Sequence, residues 1–317
     1  MRKLLYGLVI FVFIVIIFVI IKQSKLRSIN PNNTLQYAQT IIEQILDTEA
    51  EFFPEENVFK VSFPRNDIKV TIDNWPLHPF MGLSSWIAFQ KGTGQNIELM
   101  AMGDVVLLED EINPTMSAAL DNSIQITALH NHFIYDNPKI YFMHLEAEGT
   151  VQNVAKGIYA ILSTINNVNQ RVKIPLPTIN AIDGEPLERI ISVKGVVKEG
   201  MFKIVIGRHI KAGCNCKIGK NMGINTWIAF GGTNDNAIII GDFALLEHEL
   251  QPVLKALRNA NIQVVAIHNH MINEKPRMIF LHFWAQGAVI ELAYGIKNVL
   301  DQTDMLKDDE SCIHCNH

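Results

Sequence analysis

Six of the eleven histidines fall in one block of the chain and its near-copy. Residues 126–149 read ITALHNHFIYDNPKIYFMHLEAEG and residues 264–287 read VVAIHNHMINEKPRMIFLHFWAQG, identical at 10 of 24 positions with a constant offset of 138. Each block carries a His-Asn-His string and a third histidine: His130, His132 and His144, then His268, His270 and His282. Residues i and i+2 of a strand point to one face, so each string sets two imidazoles side by side. A hairpin centred on Pro138 predicts His132 opposite His144 and His130 opposite Glu146, three imidazoles and a carboxylate on one face. The equivalent centred on Pro276 predicts His270 opposite His282 and His268 opposite Trp284. Asp104 and Asp242, each ending a Gly-Asp step, are reserve carboxylates. Neutral imidazoles held rigidly with a carboxylate suit a divalent transition metal (zinc, copper or iron), with a position left open for water or a substrate. The same residues would also serve a metal-free polar ligand site or a purely structural role, and duplication copies any of these faithfully.

The elements that must hold these side chains repeat with them. Upstream, Gly103-Asp104 answers Gly241-Asp242, Trp86-Ile87-Ala88-Phe89 answers Trp227-Ile228-Ala229-Phe230, and Val58-Phe59-Lys60-Val61 answers Met201-Phe202-Lys203-Ile204. A period near 140 is a duplicated domain, far longer than a solenoid repeat. Within copy one, Ile41, Ile42, Ile45 and Leu46 share a face of an opening helix with Thr34 as its N-cap. Short β-rich runs follow at 58–63, 68–73, 85–90 and 97–108, then a helix near 110–121 led by acids. Strands at 124–133 and 139–147 flank Asp136-Asn137-Pro138, and a helix at 150–166 closes the unit. This order predicts an α+β fold, two tandem repeats that are each an antiparallel sheet with helices packed on it, arranged as a pseudo-twofold pair. The predicted divisions are an anchor at 1–27, a linker at 28–33, copy one at 34–167, a Pro-containing connector at 168–177, copy two at 178–303 and a flexible tail at 304–317.

Charge divides the chain differently. The formal net charge is −5, yet residues 1–27 hold five basic residues and no acid, so the rest carries −10. Leu4 to Ile21 are eighteen residues without a charge, about 27 Å as a helix and close to the hydrocarbon thickness of a bilayer. They predict an N-terminal transmembrane helix, an uncleaved anchor through which the membrane is a partner; basic residues on both sides leave its orientation open. The acidic body excludes a general nucleic-acid partner. It also argues against reading His-Asn-His as a nicking nuclease, whose three residues are dispersed over a ββ-metal-α unit. No G-x-S-x-G elbow or H-E-x-x-H helix occurs. The cysteines, Cys214/Cys216 and Cys312/Cys315, are too closely paired to read as a secreted disulfide framework.

The block from Ala128 through His130-Asn131-His132 and Pro138 to His144, its copy from Ala266 to Trp284, the Gly-Asp steps and the Val58–Arg65 opening together resemble the LppY/LpqO family. These are bacterial envelope proteins built from a duplicated domain of uncharacterised function. The resemblance covers roughly residues 40–303. It implies a bacterial cell-membrane location with the body outside the cytoplasm, periplasmic or extracellular, and it brings no reaction or cofactor. The Pro64-Arg65-Asn66-Asp67 pattern of copy one is lost around Gly207-Arg208-His209. If a pocket uses Arg65 and Asp67 as ligand-binding residues beside Asp104 and Asp242, copy one is the active half. The sequence therefore predicts a membrane-anchored protein that binds a small ligand or transition metal through duplicated histidine hairpins. The alternatives are a hydrolase-like metal-dependent enzyme with Glu146 or Asp104 as ligand or base, and a structural or interaction protein with no metal.

Overall fold

A computed structural model of the protein describes residues 34–94, 97–165, 179–213 and 216–306. Copy one opens with helix α1 (Thr34–Leu46) and strands β1 (Glu51–Phe53) and β2 (Val58–Pro64). The short strands β3 (Thr71–Ile72) and β4 (Trp75–Pro76) lead to β5 (Ser84–Lys91), β6 (Leu99–Leu108) and helix α2 (Ile112–Asp121). Then come β7 (Gln125–His130), β8 (Asp136–Asn137), β9 (Ile140–Gly149) and helix α3 (Val151–Ser163). Copy two repeats the plan with α4 (Gly184–Ile191), β10 (Gly195–Lys198), β11 (Met201–Gly207), β12 (Ile210–Lys211) and β13 (Lys217–Ile218). It continues through β14 (Asn225–Gly232), β15 (Ala237–Leu246), α5 (Leu250–Asn259), β16 (Gln263–His268), β17 (Met278–Gly287) and α6 (Val289–Leu300).

Each copy builds a six-stranded sheet with the same strand order, β1-β2-β5-β6-β9-β7 and β10-β11-β14-β15-β17-β16. The fold is therefore α+β with two similar sheet-rich halves. One face of each sheet packs on its own helices: Phe59, Ile87, Phe89 and Val105 meet Ile42, Leu46, Ile158 and Ile161 in copy one. The other face is covered by the opposite copy. Val58, Ala88, Met100 and Met102 lie under Ile210, Ile218, Met222 and Met271 of copy two. In return Ala229, Ile238, Ile240 and Trp284 lie under Val70, Ile72, Leu77 and Phe133 of copy one. Burial on both faces explains why β6 and β15 read as continuous apolar runs instead of alternating.

Two glycines fasten this exchange. Gly82 (φ +108°) and Gly223 (φ +93°) each cap a short 3-10 turn in the left-handed region that only glycine enters freely. The ring of Trp227 lies 2.8 Å from where a Gly82 Cβ would stand, and the ring of Trp86 lies 2.6 Å from a Gly223 Cβ. Each copy's tryptophan is thus seated on the other copy's glycine.

The expected transmembrane helix is not part of this architecture. Among the described residues no helix is long and apolar enough to cross a membrane. The longest, α1 and α3, have 13 residues, against the roughly 20 a bilayer needs. Leu4–Ile21 lie outside the described residues, as do Cys214, Cys312 and Cys315. The expected single-pass architecture and envelope location find no support in the described structure, and the membrane as partner is likewise unsupported.

Candidate metal centre

Strand pairing assembles the site from the backbone upward. In copy one Trp86 pairs with Asp104, Asp104 with His144, and His144 with Ala128, a row running across four strands on the face turned to copy two. In copy two Trp227, Asp242, His282 and Ala266 form the same row. The predicted register is shifted: His130 stands opposite Phe142, and Glu146 opposite Gln125. His268 likewise faces Phe280, and Trp284 faces Gln263. A bulge between Ile126 and Ala128, matched between Val264 and Ala266, accounts for part of the shift. The rest comes from the connection, which is no tight turn at Pro138. Asp136 instead accepts from the Ile140 amide (2.8 Å) and pairs with Lys139 (2.8 Å), while β8 joins β3. His132 and His270 consequently sit beyond the strand ends and stack flat on Phe142 and Phe280.

The six histidines do not form two hairpin sites. They meet between the copies in a single buried cluster, with ring centres 3.8 Å apart for His130 and His268, 3.8 Å for His132 and His282, and 3.9 Å for His144 and His270. Each of these pairs joins one copy to the other. Asp104 Oδ2 lies 3.2 Å from His132 Nε2, and Asp242 Oδ2 lies 3.2 Å from His270 Nε2. The reserve carboxylates have joined the histidines. Glu146, though buried, belongs to none of the donor groups the cluster forms, because the shifted register carries it past them. The signal that pointed to Asp104 and Asp242 was the repeated Gly-Asp step. Its glycine carbonyls hold the rings: His144 Nδ1 is 3.3 Å from Gly103 O and His282 Nδ1 is 3.1 Å from Gly241 O. A protonated Nδ1 bonded to a carbonyl leaves Nε2 as a lone-pair donor, the usual arrangement of an imidazole ligand.

Three donor groups occur in the cluster: His130, His268 and His282; His144, His268 and His270; and Asp104, His130 and His144. In each, one ligand atom per residue lies within 4.8 Å of the others. The first two draw on both copies. Burial pushes all six imidazoles below their ordinary range, and for His130 the neighbouring His268 adds to the shift. The rings are neutral at neutral pH, as metal ligation requires. Burial raises Asp104 to about 6 and lifts Asp242 well above its usual value, while His144 and Lys60 pull Asp104 back down. Apart from His132 Nε2, which faces Asp104, eight ring nitrogens of the six residues have no hydrogen-bond partner among the described residues.

The centre is reachable. A cleft of about 1190 Å³ between the copies has Asp104, Asp242, His132, His144 and His270 in its lining. Arg65 and Asp67 are not in that lining. Arg65 is fully buried and bonds Asp67 (3.0 Å), Glu111 (2.9 Å) and the Val106 carbonyl (2.8 Å). Its counterpart in copy two is Arg208, which bonds both oxygens of Glu249 at 2.7 and 2.8 Å. The arginine and its glutamate partner therefore persist in both copies while Asp67 does not, an equivalence hidden in sequence by the diverged residues around it.

A family model described as Domain of Unknown Function (DUF1259) matches residues 40–164 and 185–302, one stretch in each copy. The chain belongs to this family. The two stretches of the DUF1259 match contain every histidine and aspartate of the cluster. No curated protein matches the chain. Among solved structures, it is similar to the trimeric bacterial microcompartment shell protein PduB, at 11% identity over 82% of this chain and 93% of that one, with a TM-score of 0.21. It is also similar to the ethanolamine utilization protein EutL from Leptotrichia buccalis C-1013-b, at 8% identity over 78% and 98%, with a TM-score of 0.20. Structural agreement this low carries no argument about architecture or function.

Proposed function

We propose that this protein binds one transition-metal ion, zinc, copper or iron, at a centre its two copies build jointly, and offers that ion to a small ligand in the cleft. The observation that carries the reading is the set of eight unpartnered, buried imidazole nitrogens, beside a ninth that faces only Asp104. Burying a polar group without a partner costs about 1–3 kcal/mol, so a cluster left empty would consume much of a domain's ordinary 5–15 kcal/mol of stability. A coordinated ion supplies the missing partners. His130, His132, His144, His268, His270 and His282 with Asp104 and Asp242 are the proposed ligand pool, and Glu146 is outside it. Any two of the three donor groups share a histidine, which favours a single ion over several independent ones. The units proposed to carry the centre are 34–167 and 178–303. Within the DUF1259 family, the His-Asn-His blocks and Gly-Asp steps support the finer kinship with LppY/LpqO proteins.

Metal analysis of the purified full-length protein tests this. One equivalent of zinc, copper or iron is expected, removable by EDTA with a fall in melting temperature. A protein free of metal whose melting is unchanged by EDTA overturns the reading and leaves a structural role. A second reading, a metal-dependent hydrolase, is favoured by the opening of the cleft onto the cluster. There the ion would polarise a water, with Asp104 or Asp242 as base. Turnover of an ester or phosphate substrate that is lost in Asp104→Asn while metal is retained would support it.

A further inference from the structure

Two lysines in the cleft carry charge that the fold does not neutralise. Lys60 on β2 and Lys203 on β11 hold equivalent positions, and both line the cleft. Each places its Nζ over the tryptophan of its own copy, 4.2 Å from the ring centre of Trp86 and 4.4 Å from that of Trp227. Among the described residues neither is ion-paired; Lys203 Nζ reaches only the Phe80 carbonyl, at 3.4 Å. Burial lowers both ammonium groups to about 8, and the charge of Lys60 lowers Lys203 further. Glu51 and Asp104 are the acids whose fields reach Lys60. The other rim acids are engaged: Glu199 is 2.8 Å from His78 Nε2, and Glu55 accepts from the Asn221 amide at 3.1 Å.

We propose that the cleft takes a small organic dianion, one anionic group on Lys60 and the other on Lys203, its body lying across the junction of the copies above the histidine cluster. This rests on the metal-centre reading, in which Asp104 and Asp242 belong to the ion and leave the lysine charge for an external partner. Each half of the cleft offers the same Lys–Trp pair, so a ligand engaging both halves must present an anionic group twice. Partly desolvated ammonium groups make strong charge-assisted bonds, and the two tryptophans in the cleft lining give a carbon framework apolar surface beside them. The volume leaves room for a substantial body between the two ends.

The test titrates the metal-loaded full chain by calorimetry with acetate, succinate, glutarate and pyrophosphate. At least one dianion is expected to bind tenfold or more tightly than acetate. Lys60→Met and Lys203→Met should each weaken it by about tenfold and to similar extents, with Lys60→Arg restoring most of the loss. A preference for the dicarboxylates or for pyrophosphate identifies the kind of anionic group. Equal affinity for acetate and the dianions, no binding of any probe, or lysine variants without effect overturn the proposal. Metal content measured on the same samples separates the two readings. Full metal without dianion binding sinks the dianion alone; dianion binding by a metal-free protein sinks the metal centre alone.

Discussion

The two copies agree at the shared histidine cluster and diverge away from it. Trp86, Asp104, His144 and the His-Asn-His string recur as Trp227, Asp242, His282 and the second string, and these residues meet at the junction. Arg65 and Arg208 show the other pattern. The first is bonded by two carboxylates and a carbonyl, the second by Glu249. Position 146 differs outright although it too faces the opposite copy: Glu146 is raised to about 7 by burial and by Glu148 and Glu274, whereas Trp284 packs edge-on to Tyr135 of copy one. A residue that must satisfy its own copy can drift, because local partners compensate. A residue of the cluster, which is completed only with the opposite copy, recurs unchanged.

The largest expected effect breaks the equality of the copies at the centre. His268 belongs to two of the three donor groups. A shared centre requires that His268→Ala or His130→Ala alone reduce bound metal below a tenth of an equivalent. Two independent sites would each lose half of the total, and metal analysis reads the difference. Next, Arg65→Met and Arg208→Met each strand buried carboxylates, at about 3–5 kcal/mol. The loss should be larger at Arg65, which leaves Asp67 and Glu111, than at Arg208, which leaves Glu249; urea unfolding measures both.

How much of this was legible varies by element. The helices at 34–46 and 151–163 and the strands at 58–64 and 84–91 followed from apolar spacing, because their packing is local. The strand expected at 68–73 shrank to two residues, since that segment spreads over copy two's sheet as a cover. The histidines were legible as a candidate group from their types and repeat. Their union was not. It depends on irregular connections, 64–83 and 207–224, whose apolar residues match no period and whose partners lie about 140 positions away.

A smaller effect tests the reciprocal seating. Gly82→Ala and Gly223→Ala each force a side chain into a positive φ and into a tryptophan ring, at about 1–3 kcal/mol apiece and nearly equally. A clearly unequal pair of melting shifts would show that one seat dominates. The smallest effect concerns pH. Lys60 and Lys203 have folded-state values of about 8 against an ordinary 10.5, so the unfolded chain binds more protons between those values. Stability should rise as pH climbs from 8 to 10.5, and the penalty is fully present below 8. Lys60→Met and Lys203→Met should therefore raise the melting temperature of the ligand-free protein at pH 7 and lose that advantage near pH 10.5.

The interleaved cover has a consequence for synthesis. The face formed by Val58, Ala88, Met100 and Met102 is finished by Met222 and Met271. At about 5–20 residues per second the ribosome needs roughly 10–30 s to make the intervening stretch. During that interval the leading half exposes an apolar sheet and three histidines with no counterpart. A nascent chain in this condition is a natural client for a holdase, and a premature stop between the copies would release a fragment prone to pair with its own kind.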